Sequence, residues 1–137
     1  MKVIVILLSL MGLACAQDPK ECFCGMFVSV NMAELEVHRL PAIDLDSCDD
    51  QGDCKIGCIR EWEYVFNNGG LNFVAPGHNR TIGEESCRTL AFQHQHPNLA
   101  PHEVYGYYNV CQGPWVYDGE TSREPLCCVE GVYPGQC

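Results

Sequence analysis

Basic residues are scarce in this chain: eight Lys and Arg stand against 18 Asp and Glu, for a formal net charge of −10. Phosphate backbones, heparin-like polymers and anionic bilayers recruit clustered Lys and Arg. Nucleic-acid binding and cationic membrane lysis are therefore poor readings of this sequence. Long apolar runs are missing after residue 16, where nothing approaches the ~20 residues that cross a bilayer. No apolar C-terminal tail suggests a lipid anchor. No membrane insertion is expected.

Signatures of catalysis are lacking too. There is no Gly-x-Ser-x-Gly elbow, no phosphate-binding glycine loop and no His-Glu-x-x-His metal helix. The secreted phospholipase pattern, a Cys-Cys pair followed closely by His-Asp, is absent, because Cys127-Cys128 runs on into Val129-Glu130-Gly131. Glu61 and Glu63 sit two apart on an expected helix, where side chains diverge, so they read as its solvated face. A non-enzymatic protein is expected. No internal repeat or low-complexity segment stands out.

The segment from Met1 to Ala16 carries Lys2, an apolar run from Val3 to Leu13, and then Ala14-Cys15-Ala16. That order of charge, apolar stretch and small-x-small site is the pattern of a secretory signal peptide. Its loss removes one lysine and no acid, so the net charge moves from −10 to about −11. Of the 11 cysteines, Cys15 leaves with the leader. Cys22, Cys24, Cys48, Cys54, Cys58, Cys87, Cys111, Cys127, Cys128 and Cys137 remain, an even set. Thiols exported to an oxidising compartment pair, so residues 17–137 read as a secreted, disulfide-bonded extracellular domain. Its length allows a modest core that the bridges supplement.

Ten cysteines allow about 945 pairings. Geometry removes some of them. Cys54 and Cys58 lie one helical turn apart, so a bridge between them would constrain little, and each is expected to reach a different element. Adjacent Cys127 and Cys128 would need a strained peptide to pair. Cys22 and Cys24 share a strand face and are expected to diverge. The scheme is a central helix fastened to the first strand and to the C-terminal tail. The spacing does not fit the EGF, Kunitz, kringle or knottin frameworks.

Along the chain, Cys22, Cys24, Met26, Val28 and Val30 alternate on one side of a strand, with Phe23 and Phe27 on the other. Leu35, Val37 and His38 either continue that strand or form a second short one before Pro41, with a helix over Met32–Leu40 as the rival reading. Cys54, Cys58, Trp62 and Val65 recur at helical spacing, and Asn67-Asn68-Gly69-Gly70 supplies the stop. Thr81-x-x-Glu84 reads as a capping box for a second helix, with Cys87, Leu90, Ala91 and His94 facing inward and Pro97 beyond its end. Val104 to Tyr117 is a β-hairpin broken at Gln112-Gly113-Pro114. Residues 125–137 read as an irregular tail. The fold class expected is α+β, with two helices, a small antiparallel sheet and abundant loops.

Three constellations are candidates for function. Asp44, Asp46, Asp49 and Asp50 lie in the most acidic stretch, and closely spaced carboxylates in a loop are how proteins supply oxygens to Ca2+. Asp49 where an EF-hand needs Gly, and Lys55 where it needs Glu, exclude that motif. The alternative is a solvated run that favours the positive end of the following helix. His94-x-His96, with His102 nearby and His38 and His78 further off, has the spacing of a shared metal but no carboxylate base beside it. Tyr105, Tyr107, Tyr108, Trp115, Tyr117 and Tyr133 form an aromatic group in which Tyr105 and Tyr107 share a strand face and Tyr108 lies opposite, so part of it is expected in the core. Tyr105, Tyr107, Trp115 and Tyr117 serve either as hairpin packing or as a binding face that stacks on a partner.

Asn79-Arg80-Thr81 is an N-glycosylation sequon in an expected loop. Two functional classes follow. The first is an acidic structural or matrix-associated glycoprotein with weak calcium or mineral binding, partnered by extracellular proteins, polymers or mineral. The second is a diffusible disulfide-rich ligand, such as a toxin, inhibitor or signal, that binds a protein receptor or enzyme. Acidity tilts the reading to the first.

Overall fold

The computed structural model describes residues 19–137, so the expected leader and the new N-terminus at Gln17 lie outside the described residues. The chain begins with a long hairpin. Strand β1 (Glu21–Val30) returns through Asn31-Met32 as β2 (Ala33–Arg39), in antiparallel register from Val30↔Ala33 to Gly25↔Arg39. Asn31 and Met32 have φ of 51° and 65°. Two consecutive left-handed residues make the tight turn whose twist matches the strands it joins. The helical rival over Met32–Leu40 is thereby set aside, and a bulge between Met26 and Phe27 accommodates Val37, which is buried.

A short β3 (Ile43–Asp44) caps the start of β1, and β5 (Tyr105–Val110) with β6 (Val116–Thr121) extends the sheet on the other side. The order is β2-β1-β5-β6, antiparallel throughout. The expected β5-β6 hairpin forms, turning at Cys111 and Gln112, both at positive φ.

Helix α1 (Gln51–Asn67) lies on one face of this sheet and buries Cys54, Cys58, Trp62, Val65 and Phe66. These meet Cys22, Cys24, Met26 and Val28 of β1 and Tyr108 of β5 in a common core. The alternation read along β1 thus places its even-numbered residues inward. The helix stops at Asn67, followed by Gly69 at φ 127°.

Helix α2 (Ile82–Gln93) packs at the β2 end of the sheet, preceded by a 3₁₀ turn at Gly70–Asn72. The Glu84 amide donates to Thr81 Oγ1 at 3.1 Å, one arm of the expected capping box. Its inner face is shifted from the expected one. Ile82, Gly83, Ser86, Cys87 and Leu90 are buried, whereas Ala91 and His94 are only half-buried. The helix ends at Gln93, so His94 is its C-cap, outside the helical stripe that the periodicity implied. The C-terminal segment also departs from expectation. Leu126–Cys128 (β7) pairs with Leu99–His102 (β4) as a second, two-stranded sheet. Backbone pairing thus organises part of the tail that composition alone read as irregular.

The ten cysteines among the described residues are all paired, in the bridges Cys22–Cys54, Cys24–Cys58, Cys48–Cys111, Cys87–Cys128 and Cys127–Cys137. The close pairs 54/58 and 127/128 avoid each other, as expected. The wider scheme is corrected: Cys54 and Cys58 reach the same element, β1, rather than different ones. The two-residue spacing on the strand and the four-residue spacing on the helix bring both pairs into reach when helix lies along strand. The tail is fastened to α2 and to itself instead. The bridges therefore fall into two sets that share no element. One joins β1, α1, the loop before α1 and the β5 turn, and the other joins α2, β7 and the C-terminus.

Candidate functional site

Strand register decides which aromatic side chains share a face. Gly25↔Tyr107, Phe27↔Tyr105 and Tyr107↔Tyr117 are partners across β1, β5 and β6, and their odd positions point away from α1. Tyr108, one residue out of phase, is buried in the core, which agrees with the alternation read from sequence. Tyr105, Tyr107, Trp115 and Tyr117 are thus brought together on the sheet face opposite α1.

They form a continuous ring system. Phe27, buried beneath them, has its ring 4.7 Å from Tyr107 and 5.0 Å from Trp115. Tyr117 lies 5.7 Å from Tyr107 and 5.9 Å from Tyr105. Tilted and edge-on rings at these spacings are mutually attractive. Trp115 reaches across Gly25: a Cβ there would meet its ring at 3.1 Å and Phe27 at 2.7 Å. Only a residue without a side chain lets the indole settle there.

Charged groups frame this face. On the β2 side the Arg39 guanidinium is 5.0 Å from the Phe23 ring and 5.5 Å from the Trp115 ring, within cation–π range. Glu36 holds it by two hydrogen bonds, from Nε at 2.8 Å and Nη2 at 2.9 Å, and this raises the Arg39 pKa further. On the far side Tyr105 donates its hydroxyl to Glu103 at 2.9 Å, which raises the phenol's pKa. Burial, then the charge of Glu34, does the same for Tyr107. The Tyr117 and Thr121 hydroxyls bond at 2.9 Å. Tyr117 is 44% exposed, and Tyr105, Tyr107, Trp115 and Phe23 are half-buried. The arrangement offers apolar ring surface, phenol hydroxyls and marginal carboxylates. Such a surface can stack on other rings and meet a cation.

Sequence reasoning found the four hairpin aromatics but not Phe23, Phe27 and Arg39 as their companions. The alternation along β1 already placed both phenylalanines opposite the core. Joining them to β5 required the β1-β5 register, which no local pattern carries.

The acidic run does not assemble. Asp44, Asp46 and Asp49 are exposed and Asp50 is half-buried. Asp50 accepts from the Ser47 amide at 3.1 Å, and Ser47 Oγ accepts from the Asp49 amide at 3.1 Å. The only three metal-ligand atoms of His, Cys, Asp or Glu gathered within 4.8 Å among the described residues are the sulfurs of Cys22, Cys54 and Cys58, all in disulfides. The run instead leads into the first turn of α1, with Asp50 as N-cap and Asp53 beyond it.

The histidines regroup. His94 Nε2 meets the Glu36 carbonyl at 2.8 Å, and His102 Nδ1 bonds the nearby Ala100 carbonyl. His38 and His78, far apart in sequence, converge on Glu85 of α2: His38 Nδ1 is 3.2 Å from one carboxylate oxygen and His78 Nδ1 is 2.7 Å from the other. Burial lowers the pKa of His38, against the raising effect of Glu85. On the inner side of β6, burial raises the Asp118 carboxyl to about 6, opposed by a hydrogen bond from the Glu120 amide. Asn79 is exposed in the loop before α2, and Thr81 of its sequon is that helix's N-cap.

Comparison of the chain with protein-family models, with curated proteins and with solved structures found no match. Among the described residues no helix is long and apolar enough to cross a membrane.

Proposed function

We propose that this is a non-catalytic extracellular binding protein that engages its partner through the aromatic face of the sheet. The observation that carries this reading is the convergence of Tyr105, Tyr107, Trp115 and Tyr117 with Phe27 and Arg39 on the sheet face opposite α1. Export through the Met1–Ala16 leader is part of the proposal, as is glycosylation at exposed Asn79. Five disulfides are compatible with an oxidising destination.

The partner is a protein segment that presents Lys or Arg. Glu34, Glu36 and Glu103 border the rings, and the whole chain carries a net charge of −10. Such a surface attracts cations at long range and offers π-faces at short range. This favours the diffusible-ligand class over the matrix class. No three of the carboxylates on which the matrix class leaned gather within 4.8 Å among the described residues, so calcium or mineral binding rests on composition alone.

The test is an array of short extracellular-type peptides, basic and neutral, probed with the wild type and with a Tyr105→Ala/Tyr117→Ala variant. Both rings stand at the outer margin, where truncation leaves the core intact. Basic peptides are expected to bind the wild type, to change Trp115 fluorescence, and to lose at least about tenfold in affinity with the variant. Equal binding by both proteins would sink the proposal. So would recovery of the natural protein solely from an insoluble fraction that calcium chelation releases.

A further inference from the structure

The two disulfide sets leave a seam. Cys22–Cys54, Cys24–Cys58 and Cys48–Cys111 lock β1, α1 and the β5 turn together. Cys87–Cys128 and Cys127–Cys137 lock α2 to the tail. Between α2 and the main sheet only packing and polar contacts remain, chiefly where α2 meets β2. The His38–Glu85–His78 cluster lies across that seam.

The geometry points to a Zn2+ site formed by His38, His78 and Glu85, which clips the loop before α2 and the helix itself to strand β2. His38 comes from β2, His78 from the loop and Glu85 from the first two turns of α2, so one ion would join three segments that no disulfide connects. Imidazole and carboxylate are ordinary zinc ligands, and three of them leave a fourth position for water. The carboxylate already faces both rings, with Oε1 2.7 Å from His78 Nδ1 and Oε2 3.2 Å from His38 Nδ1. Ligand atoms that share a tetrahedral zinc at about 2.0–2.1 Å stand roughly 3.3 Å apart.

The three ligand atoms do not all fall within 4.8 Å of one another, and the ring centroids of the two histidines are 6.4 Å apart. Binding therefore draws His78 inward. Its side chain is 45% exposed and would exchange its 2.7 Å bond to Glu85 for the ion, whereas that of His38 is only 9% exposed.

The surroundings admit a cation. His38 and Glu85 line an open cleft of about 650 Å³ between β2 and α2, and His38 and His78 line a second of about 280 Å³. The two guanidinium groups of the larger cleft are engaged elsewhere. Arg39 is bonded to Glu36, and Arg88 lies 5.4 Å over the Phe92 ring. This proposal stands independently of the aromatic face.

The test uses the full mature chain, freed of metal by chelation and titrated calorimetrically with ZnCl2 at neutral pH, with thermal unfolding measured alongside. One Zn2+ per chain is expected, with a rise in Tm as zinc exceeds its Kd and shifts of the His38 and His78 ring resonances. His78→Gln, at an exposed position, should keep the zinc-free Tm and lose at least about tenfold in affinity. Glu85→Gln should lose affinity as well. His96→Gln, in the His94-x-His96 pair, should bind like the wild type. Absence of heat and of ring shifts would overturn the assignment, as would zinc binding that survives His78→Gln and disappears with His96→Gln.

Discussion

The Trp115 indole rests across Gly25, its ring 3.1 Å from where a side-chain Cβ would stand. Gly25 is therefore a spacer that lets one strand's ring lie over its neighbour's backbone. Gly25→Ala is expected to displace Trp115 or Phe27 and to destabilise the protein by about 1–3 kcal/mol, the usual cost of overpacking. Urea unfolding gives the magnitude, and a change in tryptophan emission of the folded protein reports the displaced ring. Unchanged stability and emission would mean that the face tolerates the methyl group.

Met32 stands at the tip of the first hairpin, fully exposed and at φ 65°. A side chain there carries the steric cost of the left-handed region without any burial in return. Met32→Gly creates the Asn-Gly turn that this geometry prefers, and should stabilise the fold by about 0.5–1.5 kcal/mol. The denaturation midpoint should rise with the slope unchanged. A lowered midpoint would show that the methionine makes a contact of its own.

Asp118 is a buried carboxyl whose pKa stands at about 6, above its ordinary value of 3.8, because burial disfavours the charge. The folded state therefore holds the proton more tightly than the unfolded state does. Asp118's contribution to stability is fully present below about pH 4, the unfolded value, and is lost as pH rises through about 6. Asp118→Asn keeps an acceptor for the Glu120 amide and carries no charge. It should raise stability at pH 7.5 by about 1–3 kcal/mol and remove this component of the pH slope. Parallel Tm-against-pH curves for variant and wild type would contradict the assignment.

The Cys127–Cys137 bridge spans 10 residues, and Cys48–Cys111 spans 63. Loop-closure entropy grows with the logarithm of that span, so replacing the longer bridge by serines should cost about 1.6 kcal/mol more than replacing the shorter. Non-reducing peptide maps of the intact protein should return the five pairs in two unconnected sets. A peptide that links Cys54 or Cys58 to the tail would refute this arrangement.

Much of this molecule was legible in its sequence. The four-, four- and three-residue spacing from Cys54 to Val65 marks a helix because an apolar stripe repeats every 3.6 residues. Thr81 marks the start of the second helix because its hydroxyl can accept from an amide three residues on. The alternation in β1 and around Tyr108 sorts inward from outward residues, since strand side chains change face at every step. These signals are local. The tail misled because Gly, Pro and Cys conceal a strand whose partner, Leu99–His102, is distant in the chain.

Local chemistry by itself determined the two helices, the β5-β6 hairpin, the aromatic set within it and the failure of the close cysteine pairs 54/58 and 127/128 to bridge. Each depends on neighbours a few residues apart. Tertiary structure alone decided that both helix cysteines meet β1, that the bridges divide into two sets, and that Arg39, Phe27 and Trp115 share a face. It also placed Glu85 between His38 and His78. The reason is that each of these depends on register and on how elements lie against one another. Those are set by the combined burial of the whole core, and no short stretch of sequence encodes them.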